Sequence, residues 1–206
     1  PAFTQAGTCV VVPNYDLCPA VTIPEIVMQM VRAIAWTWRH VAEHGGDPRR
    51  ITVAGHSAGG QLAAMPLGAR GKEDDAALPE DLLPRALSIS GLYDLEPLRR
   101  TPTMQQALRL TPEQVRQASP ALLPAPARGA LYTVAGGKES MEFLRHNEMI
   151  RQARGPERGP GAPLRSTPWG SRAPTVRAAC RARPSPATAP TPTTTRRRPC
   201  IGRAMP

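Results

Sequence analysis

The amino-acid sequence predicts an α/β fold, a mostly parallel sheet with helices on both faces, and three observations predict it. Short apolar runs at residues 8–12, 51–54, 86–90 and 130–134 alternate with longer stretches of helical character. The first of these, Thr-Cys-Val-Val-Val, is β-branched and uninterrupted, which suits a strand of a parallel sheet covered on both faces. The third observation is Gly55-His56-Ser57-Ala58-Gly59, a Gly-x-Ser-x-Gly pattern between an apolar run and the helix-forming residues 61–65. A serine on so sharp a turn takes unusual backbone angles, and its neighbours must be small where strand and helix pack closely. Glycine is therefore expected at both flanks, Gly55 and Gly59.

In chain order, residues 1–7 read as a helix end closed by Gly7. Residues 8–12 follow as a buried strand stopped by Pro13, with Cys9 one of its small buried residues. A long helix is expected over residues 24–44. Thr22 is its candidate cap, Pro24 suits the first turn, Glu25 complements the N-terminal dipole, and Ile26, Met30, Ile34 and Val41 recur at near-helical spacing. His44-Gly45-Gly46 reads as the end of that helix, a histidine near the negative dipole end with glycine beyond the cap. After the serine turn and its helix, Pro66 should end or kink the helix, and residues 68–81 form a polar loop. Residues 86–90 make the next short strand and residues 91–95 its turn. Thr111-Pro112-Glu113-Gln114 opens a short helix with a capping-box-like start. Residues 130–134 are a strand closed by Ala135-Gly136-Gly137, and residues 140–152 a helix.

Residues 1–153 are expected to form the α/β core and residues 154–206 a disordered basic tail. The chain has 206 residues, enough for one domain with a real core, but carries 25 prolines and only 4% aromatic residues. Its formal charge of +10 is uneven: residues 1–150 hold 14 Lys and Arg against 15 Asp and Glu, residues 151–206 hold 12 Arg against one Glu. The basic character belongs to the tail and assigns no anionic partner to the core. Beyond Arg154 the only branched aliphatics are Leu164, Val176 and Ile201, too little apolar surface to offset the entropy of ordering. Arg, Pro, Ala and Gly are also the residues that GC-only codon pairs encode. The tail is therefore compatible with a GC-rich gene translated out of frame, which translation of the other two frames tests. Cys9, Cys18, Cys180 and Cys200 form no Cys-x-x-Cys pair and have no histidine at metal spacing, so reduced thiols, no metal and no cofactor are expected. No stretch is long and apolar enough for a transmembrane span and no signal sequence opens the chain. A cytoplasmic location follows as the expectation, and a start at Pro1 without methionine reads as a fragment.

Residues 11–19 (Val-Val-Pro-Asn-Tyr-Asp-Leu-Cys-Pro), with Gly46-Asp47-Pro48 leading to residues 53–60 (Val-Ala-Gly-His-Ser-Ala-Gly-Gly), resemble the esterase and arylformamidase branch of the α/β-hydrolases. Residues 90–95 (Ser-Gly-Leu-Tyr-Asp-Leu) and 139–143 (Glu-Ser-Met-Glu-Phe) narrow the resemblance towards arylformamidase, that is, kynurenine formamidase. The resemblance covers residues 1 to about 153. It implies a partial α/β-hydrolase fold and a serine hydrolase that cleaves N-formylkynurenine, a step of tryptophan degradation, or a related small amide or ester, through an acyl-enzyme and without a cofactor. It further implies Ser57 as nucleophile on the elbow, the backbone N–H of Ala58 as oxyanion donor, and Glu139 as candidate triad acid with Glu142 the runner-up. Both glutamates have a plainer reading as carboxylates serving a helix dipole.

No histidine is identified as the base. In the resembling family the base follows a further strand beyond the acid, and from Asn147 to Pro206 this sequence has no histidine; the family's His-Gly-Gly oxyanion loop lies before the first apolar run seen here. His40 and His44 read as surface residues and His56 as packing or pocket lining. His146 lies two turns into the helix after the acid, badly placed to reach the elbow. General-base assistance is worth about 10²–10⁴-fold, one oxyanion donor about 10²–10³-fold, and triad members act as a unit. The chain as written is therefore expected to have little or no hydrolase activity. Two other function classes remain: a non-catalytic α/β-hydrolase-like binding protein that kept the elbow, and nucleic-acid binding through the arginine-rich tail. The tail has no docking motif and only Trp169 as an interleaved aromatic, which leaves non-specific electrostatics. The expected partner is a small amide or ester, with no specific nucleic acid and no membrane, and the oligomeric state is left open. An uncovered sheet edge beyond the last strand, and with it poor solubility, is expected.

Overall fold

The computed structural model describes residues 2–68, 78–79, 82–126 and 129–154, together with the backbone of 166–169. Its sheet runs β1 (Thr52–His56), β2 (Arg85–Ile89), β3 (Ala130–Gly136) and β4 (Ser166–Trp169), all parallel and in chain order. Parallel neighbours need crossovers, and helices supply them. Helix α1 (Ala2–Gln5) and α2 (Ile23–His40) precede the sheet, and α3 (Ala58–Ala64) links β1 to β2. Helices α4 (Glu96–Arg100), α5 (Pro102–Leu108) and α6 (Pro112–Ala118) lie between β2 and β3, and α7 (Met141–Arg154) follows β3. His56 stands opposite Ile89 and Ile89 opposite Val134, so the carboxyl ends of β1 and β2 finish level against β3. That alignment gathers the candidate site.

Helix α2 starts where the sequence asks it to. Thr22 accepts from Glu25 N–H while the Glu25 carboxylate accepts from Thr22 N–H, a complete capping box, and proline occupies the first turn. Its buried residues, Ile26, Val27, Met30, Val31, Ile34 and Ala35, recur at helical spacing. Ile34 and Ala35 join Ala86 of β2, Leu131 of β3, Ile150 of α7 and Tyr93 in the main core. After His40 the chain tightens into a 3₁₀ turn, Val41–His44, closed by Gly45 at φ 79°, so His44-Gly45-Gly46 is a helix end.

Two expectations are overturned. Residues 8–12 form no strand, and Val10, Val11 and Val12 are 48%, 43% and 87% exposed. A β-branched run becomes a strand only against a partner, and the backbone of residues 9–12 bonds to no described residue. Between that stretch and β1 lies a cavity of about 550 Å³, lined among others by Val11, Tyr15, Ile34, Val41, Val53 and Leu62. Cys9 is accordingly exposed, a free thiol rather than a buried strand residue. The expected open edge beyond the last strand lies one strand further along the chain, at β4. The far side of β3 is paired with Ser166–Trp169, inside the segment expected to hold no regular element, and β1 and β4 are the edge strands among the described residues. The rest of the expected tail, with Cys180 and Cys200, lies outside the described residues.

Candidate active site

Ser57 sits between the last residue of β1 and the first of α3 at φ 57°, ψ −117°, a left-handed conformation that side chains rarely adopt. The surrounding bonds over-determine it. Its N–H donates to the Ile89 carbonyl at 2.9 Å, extending the ladder to β2, and its own carbonyl accepts from Gly60 N–H at 2.9 Å and Gln61 N–H at 3.2 Å. Gly55 must be glycine: a Cβ there would lie 2.0 Å from the Gly59 carbonyl oxygen. Gly59 need not be, since a Cβ on it would meet no atom within 4 Å, which corrects the expectation that crowding dictates both flanks. Gly60 carries the second constraint instead. A Cβ there would fall 2.8 Å from Gly91 Cα and 2.8 Å from Ser88 Oγ, an approach that only the Gly59-Gly60 doublet hinted at in the sequence. Below the turn, Tyr93 Oη donates to Ser88 Oγ at 2.7 Å, which donates to the Gly60 carbonyl at 2.9 Å, and burial pushes the Tyr93 phenol up to about 12. The N–H of Ala58, first residue of α3, donates to no group among the described residues, as an oxyanion donor requires.

Glu139 lies on the turn after β3, two residues before α7 begins, and its N–H donates to the Gly136 carbonyl at 3.1 Å. Its carboxylate accepts no bond from a helix N–H among the described residues. Oε1 accepts from Ser90 Oγ at 2.6 Å, and Oε2 is buried without a hydrogen-bond partner among the described residues. Ser90, the residue after β2, was not among the candidates, and the unusual φ of 48° that marks it is invisible in sequence. Glu142 stands within α7 and is bonded bidentately by Arg145 at 2.8 and 2.7 Å, which, with a smaller part from His146, holds its carboxyl below the usual range.

The four histidines leave the serine unattended. His146 is 2% exposed; its Nδ1 accepts Tyr93 N–H at 2.9 Å and its Nε2 lies 3.2 Å from Glu142 Oε1, so both ring nitrogens are engaged away from Ser57. Burial pushes its pKa down, in keeping with a neutral ring. His40 contacts Glu43 at 3.2 Å and stacks on Trp36, His44 is exposed, and His56 is exposed rather than packed. No group of side chains that could hold a metal ion occurs among the described residues, and no described helix is long and apolar enough to cross a membrane.

A parallel sheet with a strained serine at the strand-to-helix turn defines a class, and the comparisons agree: residues 2–141 match the family model described as alpha/beta hydrolase fold. The chain belongs to the α/β-hydrolase fold family. Among its relatives, the esterase LipQ of Mycobacterium tuberculosis is 39% identical over 87 residues, covering 40% of this chain and 20% of that protein. The kynurenine formamidase of Danio rerio is 27% identical over 154 residues, covering 72% of this chain and 50% of that enzyme. In solved structures the fold matches the hyperthermophilic esterase of Pyrobaculum calidifontis with a TM-score of 0.56 at 20% identity, over 76% of this chain and 55% of that one. The chain spans half or less of the length of these two sequence relatives.

Proposed function

We propose that this chain is a serine hydrolase of the arylformamidase or carboxylesterase type, acting on a small amide or ester such as N-formylkynurenine. Ser57 is the nucleophile, Ala58 N–H an oxyanion donor and Glu139 the acid. The observation that carries this reading is the pairing of a strained, bond-locked Ser57 with a carboxylate oxygen, Glu139 Oε2, that is buried and unpartnered two strands away. Glu139 reaches back from the turn after β3 to Ser90 at the end of β2, the strand next to the nucleophile's own, and an imidazole hydrogen-bonded on both sides would join it to Ser57. In the reaction Ser57 Oγ adds to the carbonyl carbon, an imidazole base takes its proton and Ala58 N–H receives the developing negative charge; the C–N or C–O bond then breaks as the imidazolium returns that proton to the departing amine or alcohol. The acyl-serine, a formyl-serine for a formamide substrate, is then cleaved by water. The esterase relatives support ester hydrolysis, and the formamidase, more distant in identity, supports the amide reading.

No histidine hydrogen-bonds Ser57 among the described residues, so turnover by this chain should be weak. A fluorophosphonate probe followed by intact mass tests both halves. We expect slow labelling that is confined to Ser57 and abolished in Ser57→Ala. Labelling that survives Ser57→Ala overturns the nucleophile assignment. Labelling as fast as that of an intact triad overturns the missing base.

A further inference from the structure

We propose that Ser90 is a positioning residue for the triad acid, its hydroxyl fixing which oxygen of Glu139 is presented to the base; this rests on the assignment of Ser57 and Glu139 above. Ser90 is 3% exposed and follows the last residue of β2, between the strand that carries the nucleophile and the strand that leads to the acid. Its N–H donates to the Val134 carbonyl at 2.7 Å, extending the β2–β3 ladder one step, as Ser57 N–H extends β1 onto Ile89. Ser57, Ser90 and the turn to Glu139 therefore stand side by side at the carboxyl ends of three neighbouring strands.

Like Ser57, Ser90 takes a left-handed backbone, φ 48°, which costs a non-glycine residue free energy. A chain that needed only a turn there would be better served by glycine, and the next residue, Gly91, is one. The hydroxyl is what glycine lacks. It donates to Glu139 Oε1 at 2.6 Å, within the short range of an O–H bonded to a carboxylate. Gly136 closes the other side, since a Cβ on it would stand 3.1 Å from both Cγ and Oε1 of Glu139. The carboxylate is thus gripped by one oxygen, and the grip leaves Oε2, buried and unpartnered, to receive a ring N–H.

An added imidazole makes this measurable in the full chain as it exists. Ser57 Oγ attacks the phosphorus of a fluorophosphonate, the P–F bond breaks and fluoride leaves, and the serine proton passes to the imidazole, whose other N–H is accepted by Glu139. The rate of Ser57 labelling is followed by intact mass against imidazole concentration. Wild type should show saturable acceleration, and Glu139→Gln should lose it. Ser90→Ala and Ser90→Gly should raise the half-saturating imidazole concentration about tenfold, the scale of one hydrogen bond to a charged group, with much less change in the plateau rate. Ser90→Gly suits a positive φ and so guards against a folding defect. Ser90→Asn, which tolerates that φ and returns a donor, should recover part of the loss. Wild-type half-saturation in both Ser90→Ala and Ser90→Gly, with acceleration still lost in Glu139→Gln, overturns the role of Ser90 and leaves the acid standing. A shift that Ser90→Asn leaves unrelieved also overturns it. No saturable acceleration in wild type, or none lost in Glu139→Gln, overturns the acid and the role of Ser90 with it.

Discussion

A methyl group added at Gly55 would lie 2.0 Å from the Gly59 carbonyl oxygen, whereas one added at Gly59 would meet nothing within 4 Å. The two glycines of one motif therefore differ in what they tolerate. Gly55→Ala forces strand and helix apart beneath the nucleophile and should destabilise by about 3 kcal/mol or more, the scale of severe core overpacking. Gly59→Ala should be neutral or stabilise by up to about 1 kcal/mol through helix propensity. Thermal unfolding of the two variants checks this, and equal losses would show that the space beside Gly59 is not open in solution. At this scale the motif made Ser57 a candidate, and the family resemblance made Glu139 one. Ser90 was not legible, because what distinguishes it is a backbone angle and a contact 49 residues away in sequence.

Helix α7 is fastened to the turn after β2 by one buried ring: His146 Nδ1 accepts the N–H of Tyr93 at 2.9 Å. A protonated imidazole has no lone pair for that bond, and burial already holds the pKa below the ordinary 6.5. The unfolded chain thus takes up the proton at higher pH than the folded one. The stability that His146 contributes is complete above pH 6.5 and is lost as pH falls from there through the folded-state value. Urea unfolding followed from pH 8 to pH 5 should show a decline that flattens in His146→Gln, which offers an acceptor without a titration; an unchanged slope would remove His146 as its source. Elements that carry their own hydrogen bonds were legible in the sequence: the cap at Thr22, the capping box at Thr111 and the glycine stop at Gly45 are local chemistry. Helix α4 was not foreseen, although Glu96 bonds both Arg99 and Arg100, three and four residues on, and is held down to about 2 by them. A strand is legible only in part, since residues 8–12 have strand composition and no described partner.

In the molecule as a whole, the strand bearing the nucleophile is an edge strand among the described residues. The outer edge of β1, the cavity of about 550 Å³ and the exposed Val10, Val11 and Val12 form a continuous sticky margin. Self-association that grows with concentration is expected, and Val12→Lys, at a residue 87% exposed, should weaken it without loss of helix content. Sedimentation equilibrium of the two proteins measures the difference, and equal association would move the sticky surface elsewhere. Half-pairing also divides β1 along its length. Ser57 N–H points inward to Ile89, so by the alternation of a strand Gly55 and Val53 turn inward too, while Ala54 and His56 direct their N–H groups outward. Amide protons along this short strand should then exchange with water on two timescales, residue by residue: slowly at Gly55 and Ser57, quickly at Ala54 and His56. The nucleophile's strand is thus tied to the sheet through β2 alone.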